Sequence, residues 1–122
     1  MKQDINSFTE ICIYKVKTEK TAEFEDLIQR VYVHHKKFPG VIDVRYIKRT
    51  HRPPNSFSDV KEGKPSIKLR NKQQFTTYVL FWELENEIIH GKATKSGLES
   101  FYKEFRKYLT KQPTIILGER IR

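Results

Sequence analysis

The sequence predicts an α+β fold with elements in the order β-α-β-β-α-β, a ferredoxin-like antiparallel sheet carrying two helical regions on one face. Three observations predict it. The run Phe75–Leu84 is dense in aromatic and β-branched residues, and both of its alternations are apolar. Two other stretches repeat apolar residues at helical spacing. Turn-forming residues separate the periodic segments.

The run at 75–84 reads as a central strand. Phe75, Val79 and Phe81 lie on one alternation, and Tyr78, Leu80, Trp82 and Leu84 on the other. A strand wetted on one side alternates apolar with polar, and this one does not until Glu83. A buried helix segment is the competing reading. The run's composition and length favour a strand. Glu83 then marks the strand's exit to water.

The first strand is read over residues 8–17, with Ile11 and Ile13 opposite Cys12, Tyr14 and Val16. Thr18 or Thr21 would cap the helix that follows. Its stripe is Ala22, Phe24, Leu27, Ile28, Val31 and His35. Acidic residues crowd its start and Lys36 and Lys37 its end, which suits the helix dipole. Pro39-Gly40 stops it. The second strand follows over 41–48, with Ile42, Val44 and Tyr46 as its core face.

After the central strand, Glu85-Asn86-Glu87 suits a helix start, and Ile88 and Ile89 form one short turn loosened by Gly91. Ser96-Gly97-Leu98-Glu99 has the pattern of a capping box. It predicts a second main helix with the stripe Leu98, Phe101, Tyr102, Phe105 and Leu109. Pro113 ends it, and residues 114–121 read as the last strand.

The chain has 122 residues, enough for one domain over 1–122 and too few for two. Its net charge is +9, which raises an anionic partner. Residues 48–74 carry eight Lys/Arg against two Asp/Glu, while the segments on either side are nearly balanced. The basicity therefore belongs to a hairpin insertion at about 49–74, which holds Pro53-Pro54-Asn55-Ser56 and Gly63-Lys64-Pro65. Arg49, Arg52, Lys61, Lys64, Lys68, Arg70 and Lys72 would hold a phosphate or a carboxylate there. The plainer reading is a solvated extension, because Phe57 is its lone aromatic and nucleic acid is usually gripped by several. A nucleic-acid partner is disfavoured on that ground.

No window reaches the apolar length of a membrane span. The first ten residues hold no apolar core of a signal peptide, so a cytoplasmic location is expected. The single cysteine, Cys12, allows no intrachain disulfide and reads as a packed thiol. Four scattered histidines give no metal-ligand spacing, so no metal is expected. There is no glycine-rich phosphate loop and no nucleophile elbow.

Two helices cover one sheet face, yet the first and third strands are apolar on both. A second copy of the sheet, packed around a twofold axis, is the expected cover, and a homodimer is predicted.

Four stretches carry a family likeness: Lys20-Thr21-Ala22-Glu23-Phe24-Glu25, Phe38-Pro39-Gly40-Val41, Val79-Leu80-Phe81-Trp82-Glu83-Leu84 with the acidic Glu85-Asn86-Glu87 behind it, and Leu98-Glu99-Ser100-Phe101-Tyr102. In these the chain resembles the antibiotic biosynthesis monooxygenase group of dimeric α/β-barrel proteins. The resemblance implies a cofactor-independent monooxygenase acting on a planar aromatic or quinol substrate, with no cofactor required. Relatives of this type carry a Trp at the end of the third strand, as Trp82 does here. Some place an Asn where this chain has Tyr78. Haem-degrading relatives use an Asn on the first strand, a Trp in the second helical region and a His beyond it. None of these matches, so haem degradation is disfavoured.

The residues expected at a pocket between sheet and helices are Tyr14, Tyr46, Tyr78, Trp82 and Tyr102, with His34 or His35 as polar partner. Each also has a plain structural reading as core or as a satisfied side chain. The second function class is a non-catalytic module that binds an anionic ligand through residues 49–74. Replacing Trp82 tests the first, and neutralising the hairpin cations tests the second.

Overall fold

The computed structural model describes residues 6–70 and 73–122. Four long strands form one antiparallel sheet: β1 (Phe8–Lys17), β2 (Val41–Lys48), β5 (Phe75–Leu84) and β6 (Thr114–Glu119). Their order is β2-β5-β1-β6, with β1 and β5 central. Helices α1 (Thr21–Lys36) and α3 (Glu87–Tyr108) pack on each other and on the same face of the sheet. This is the α+β, ferredoxin-like arrangement expected from the element order.

The two-residue side-chain period decides which residues meet. In the β1–β5 register Glu10 opposes Trp82, Cys12 opposes Leu80 and Tyr14 opposes Tyr78, all on the helix-covered face. Those residues and Val16, Val44 and Leu84 join Phe24, Leu27, Ile28 and Val31 of α1 to form the core. Phe24 is fully buried and its ring contacts those of Tyr14, Tyr78 and Phe105. Ala22, placed on the α1 stripe by spacing, is exposed.

The opposite alternation, Ile11, Ile13, Val79 and Phe81, is only half buried, and its neighbours Ile47 and Ile116 are 62% and 57% exposed. No element of the described chain covers this apolar face.

Three local readings are corrected. No threonine caps α1: a 3-10 turn, Thr18–Lys20, leads into it, and its N-cap is Lys20 without a side-chain bond. The second helix does not begin at Ser96. Asn86 caps it, its Oδ1 accepting from the Ile89 N–H at 2.9 Å, and the helix runs on through Gly91 and Ser96. An Asn cap with ladder hydrogen bonds on both sides leaves the later capping box nothing to terminate. Glu83 does not lead out to water either. It is 6% exposed, accepts a hydrogen bond from Ser7 Oγ, and pairs with Arg120 Nη1 at 3.2 Å.

Gly40 joins α1 to β2 with φ +91°, and a Cβ there would lie 2.8 Å from the Ile89 side chain. Its carbonyl accepts from Glu85 N–H at 2.9 Å, which ties this turn to the β5–α3 connection. A glycine is required here both by backbone conformation and by space.

Between β2 and β5 the described residues form a small two-stranded hairpin, β3 (His51–Arg52) with β4 (Ile67–Lys68), enclosing the short helix α2 (Phe57–Lys61). Ser56 caps α2 by accepting from Asp59 N–H at 3.1 Å. Phe57 is 76% exposed.

Candidate functional site

A cavity of about 710 Å³ opens between α3, the loop after it, and the sheet. Its buried wall is Glu10, Cys12 and Tyr14 of β1, Leu80 and Trp82 of β5, and Val31 and His35 of α1. Thr94, Gly97, Leu98, Tyr102, Phe105 and Arg106 of α3 line it opposite, and Leu109, Lys111, Gln112, Pro113 and Ile115 complete it. It is large enough for a fused-ring molecule.

Of the residues expected at the pocket, the structure brings together Tyr14, His35, Trp82 and Tyr102. The other three lie off its wall. Tyr78 Oη donates to Glu25 Oε2 at 2.6 Å, which serves packing between sheet and α1. Tyr46 is on the helix-covered face, one register step away on the outer strand. His34 faces α3, its Nε2 2.8 Å from Ser96 Oγ. Helical geometry separates neighbouring residues by about 100°, so only one of a consecutive His pair points inward. Here that residue is His35.

His35 stacks on Trp82 with ring centroids 4.2 Å apart and planes inclined by 18°. Both of its ring nitrogens and Trp82 Nε1 are buried without a hydrogen-bond partner. Such groups cost about 1–3 kcal/mol each, and three of them sit together on two residues of the cavity wall. The indole N–H can only donate, and a neutral imidazole donates from one nitrogen and accepts at the other. Gly97 makes the space for this ring: a Cβ there would stand 2.7 Å from His35 Nε2.

Burial lowers the His35 pKa from 6.5 to about 4, and the nearby His34 and His90 add to the shift. The ring is therefore neutral at pH 7. Its unfolded counterpart takes a proton near pH 6.5, while the folded one resists until about pH 4. The contribution to stability is full above pH 6.5 and declines as pH falls through that window. Because Trp82 is the chain's single tryptophan and contacts this ring, its fluorescence reports the event. Acid titration should quench it with a midpoint near pH 4, and His35→Phe should remove that transition. A quenching midpoint near 6.5, the ordinary imidazole value, would show that the ring is not buried as described.

The sequence reading missed one pair. His90 Nε2 lies 2.6 Å from Glu10 Oε1, with side-chain exposures of 12% and 9%. The His90 ring also packs against Phe8 and Trp82, at 5.0 and 5.3 Å between centroids. The residues are far apart in sequence, and neither belongs to a motif. The one available signal was Glu10, a carboxylate on an otherwise apolar alternation of β1. A carboxylate holding an imidazole beside a cavity is the arrangement of a general base.

Burial pushes the Cys12 thiol up to about 12, so it stays protonated and acts as packing. Burial also raises the Tyr14 phenol well above its ordinary value. Neither supplies a base near neutrality. Among the described residues no three His, Cys, Asp or Glu side chains group as a metal site requires. No helix among them is long and apolar enough to cross a membrane.

The described hairpin cations lie outside the cavity wall. Lys64 pairs with Asp59 at 3.0 Å, Arg52 donates to Asn55 at 2.8 Å, and Lys61 sits 5.9 Å from the Phe57 ring centroid. Arg49, Lys68 and Arg70 lie on or beside the two short strands, and Lys72 falls outside the described residues.

No protein-family model and no curated protein matches the sequence. Solved structures do match over nearly the whole chain. A conserved protein from Methanosarcina mazei superposes with TM-score 0.71 at 15% identity, covering 96% of this chain and 95% of its own. A candidate antibiotic biosynthesis monooxygenase from Nitrosomonas europaea gives 0.66 at 12%, covering 98% and 94%. SnoaB, a cofactor-independent oxygenase from Streptomyces nogalater, gives 0.59 at 16%, covering 93% and 91%. Identities this low establish a shared fold, the one expected from the sequence resemblance.

Proposed function

We propose, on the premise of a fold shared with cofactor-independent oxygenases, that this chain oxygenates an electron-rich, planar hydroxyaromatic substrate in the cavity between sheet and helices. One observation carries the reading. Two residues of the cavity wall, His35 and Trp82, carry three partnerless buried polar atoms, and a third, Glu10, is held at 2.6 Å by His90, which stands outside the wall. Trp82 Nε1–H and His35 hold substrate oxygens. Aromatic walls from Tyr14, Trp82 and Phe105 take the ring faces.

The reaction follows from the substrate's own chemistry. The Glu10–His90 pair removes a proton from an acidic ring CH₂, and the resulting anion is electron-rich enough to reduce dioxygen. Dioxygen adds at that carbon as a peroxide, which takes the proton back. The O–O bond then breaks as the second C–H hydrogen leaves, releasing water and a ring carbonyl. The substrate carbon is oxidised; one oxygen atom enters the product and the other becomes water. The apolar part of the wall limits the bulk water that reaches the anion.

A homodimer belongs to this reading. The half-bare face of Ile11, Ile13, Ile47, Val79, Phe81 and Ile116 is the size of patch that a soluble chain covers, and a second copy presents the same apolar face. The alternative of an anion-binding module at 49–74 has less support, because Lys64 and Arg52 are already engaged by Asp59 and Asn55.

The test is oxygen uptake with 1,8-dihydroxyanthrone as probe. Protein should accelerate uptake well above the buffer rate, and label from ¹⁸O₂ should appear in the new carbonyl. Acceleration that survives Trp82→Leu unchanged, or no acceleration at all, would overturn the proposal.

A further inference from the structure

The cavity has a polar gradient that the oxygenation chemistry does not use. Its single acidic lining residue, Glu10, is buried at the floor and engaged with His90. Its rim is basic. Arg106, from the last turn of α3, and Lys111, from the loop before β6, are both exposed and both line the opening. Among the described residues neither is within ion-pair distance of a carboxylate, and Arg106 instead stands 5.8 Å from the Tyr102 ring centroid. Many other cations of the chain are engaged: Arg30 with Glu104, Lys48 with Glu25, Arg45 with Asp43, Lys64 with Asp59 and Arg120 with Glu83. Two cations without a carboxylate partner on one rim, over a cavity lined mainly by aromatic and aliphatic side chains, attract an anion and leave its ring system to the wall.

We infer that the substrate is an aromatic acid: its carboxylate rests on Arg106 and Lys111 at the rim, and its hydroxylated ring reaches the Glu10–His90 floor. This rests on the proposed reading of the cavity and adds the substrate's charge and direction of entry. Charge alone sets that direction. A carboxylate driven to the floor would meet Glu10, whereas one at the rim meets two donors. Arg106 and Lys111 are specificity-determining residues, remote from the atoms that react.

Calorimetric titration with two probes of the same ring system tests it: 6-hydroxy-2-naphthoate and the neutral 2-naphthol. A hydrogen-bonded charge pair at a partly exposed rim should make wild-type protein bind the carboxylate about tenfold more tightly than the naphthol. In the R106Q/K111Q double variant that ratio should fall towards one. Raising salt should erode the preference in the wild type, since exposed charges are screened. A wild-type ratio near one overturns the inference while leaving the cavity reading in place. So does a preference that persists in the double variant. If the wild type binds neither probe, the cavity reading itself falls and the aromatic acid with it. The double variant's rim lies on the surface, so folding is not at stake, and unchanged circular dichroism verifies that.

Discussion

Glu10→Gln should lower the rate of probe oxygenation by about 100-fold or more, the usual contribution of a positioned general base. The substitution keeps the shape of the side chain and removes its charge, so it leaves the imidazole of His90 in place without a carboxylate to hold the proton it gains. Probe affinity should change little, because the aromatic walls and the donors on His35 and Trp82 are untouched. The measurement is steady-state oxygen uptake beside equilibrium binding of the same probe, for Glu10→Gln and His90→Gln together. Both variants should fail at turnover and bind nearly normally. A variant that turns over at the wild-type rate would remove the pair from the chemistry and leave it as a buried hydrogen-bonded contact between β1 and α3.

Val79→Glu should abolish self-association. Val79 lies on β5, a central strand, on the face that no element of the described chain covers. A carboxylate there would be sealed between two sheets without a partner, at a cost of about 3–5 kcal/mol. Each copy brings one, so the dimer loses about 6–10 kcal/mol, more than roughly ten-thousandfold in association. Sedimentation should find the wild type as a dimer and the variant as a single chain, with near-unchanged far-UV circular dichroism if the helix-covered core stands alone. Val33→Glu, on the outer face of α1, is the matched control and should remain dimeric. A wild type that sediments as one well-folded chain at high concentration would overturn the dimer, and some other cover for the bare face would then be required.

The elements themselves were legible because their signals are local. Alternation with period two marked β1 and β5 and sorted each strand into two apolar sets; burial shows that the set of Cys12, Tyr14 and Val16 and the set of Tyr78, Leu80, Trp82 and Leu84 share the covered face. Helical spacing found α1, including the inward turn of His35. The start of α3 was misread because a Ser-x-x-Glu pattern is a local signature, while helix continuation depends on whether the preceding turns are already bonded. Asn86 had capped the helix ten residues earlier. Glu83 was misread for a similar reason, since its partners Ser7 and Arg120 come from opposite ends of the chain.

The sequence alone determined the order of elements, the apolar character of both sheet faces and the place of the excess positive charge, because each is written in neighbouring residues. The tertiary structure alone decided what surrounds the cavity. It placed Tyr46, Tyr78 and His34 off the cavity wall, paired Glu10 with His90, and left His35, Trp82 and Tyr46 with buried polar atoms that have no hydrogen-bond partner. Those outcomes depend on strand register and on where one long helix crosses the sheet. Both are set by contacts between residues far apart in the chain, which no short window of sequence contains.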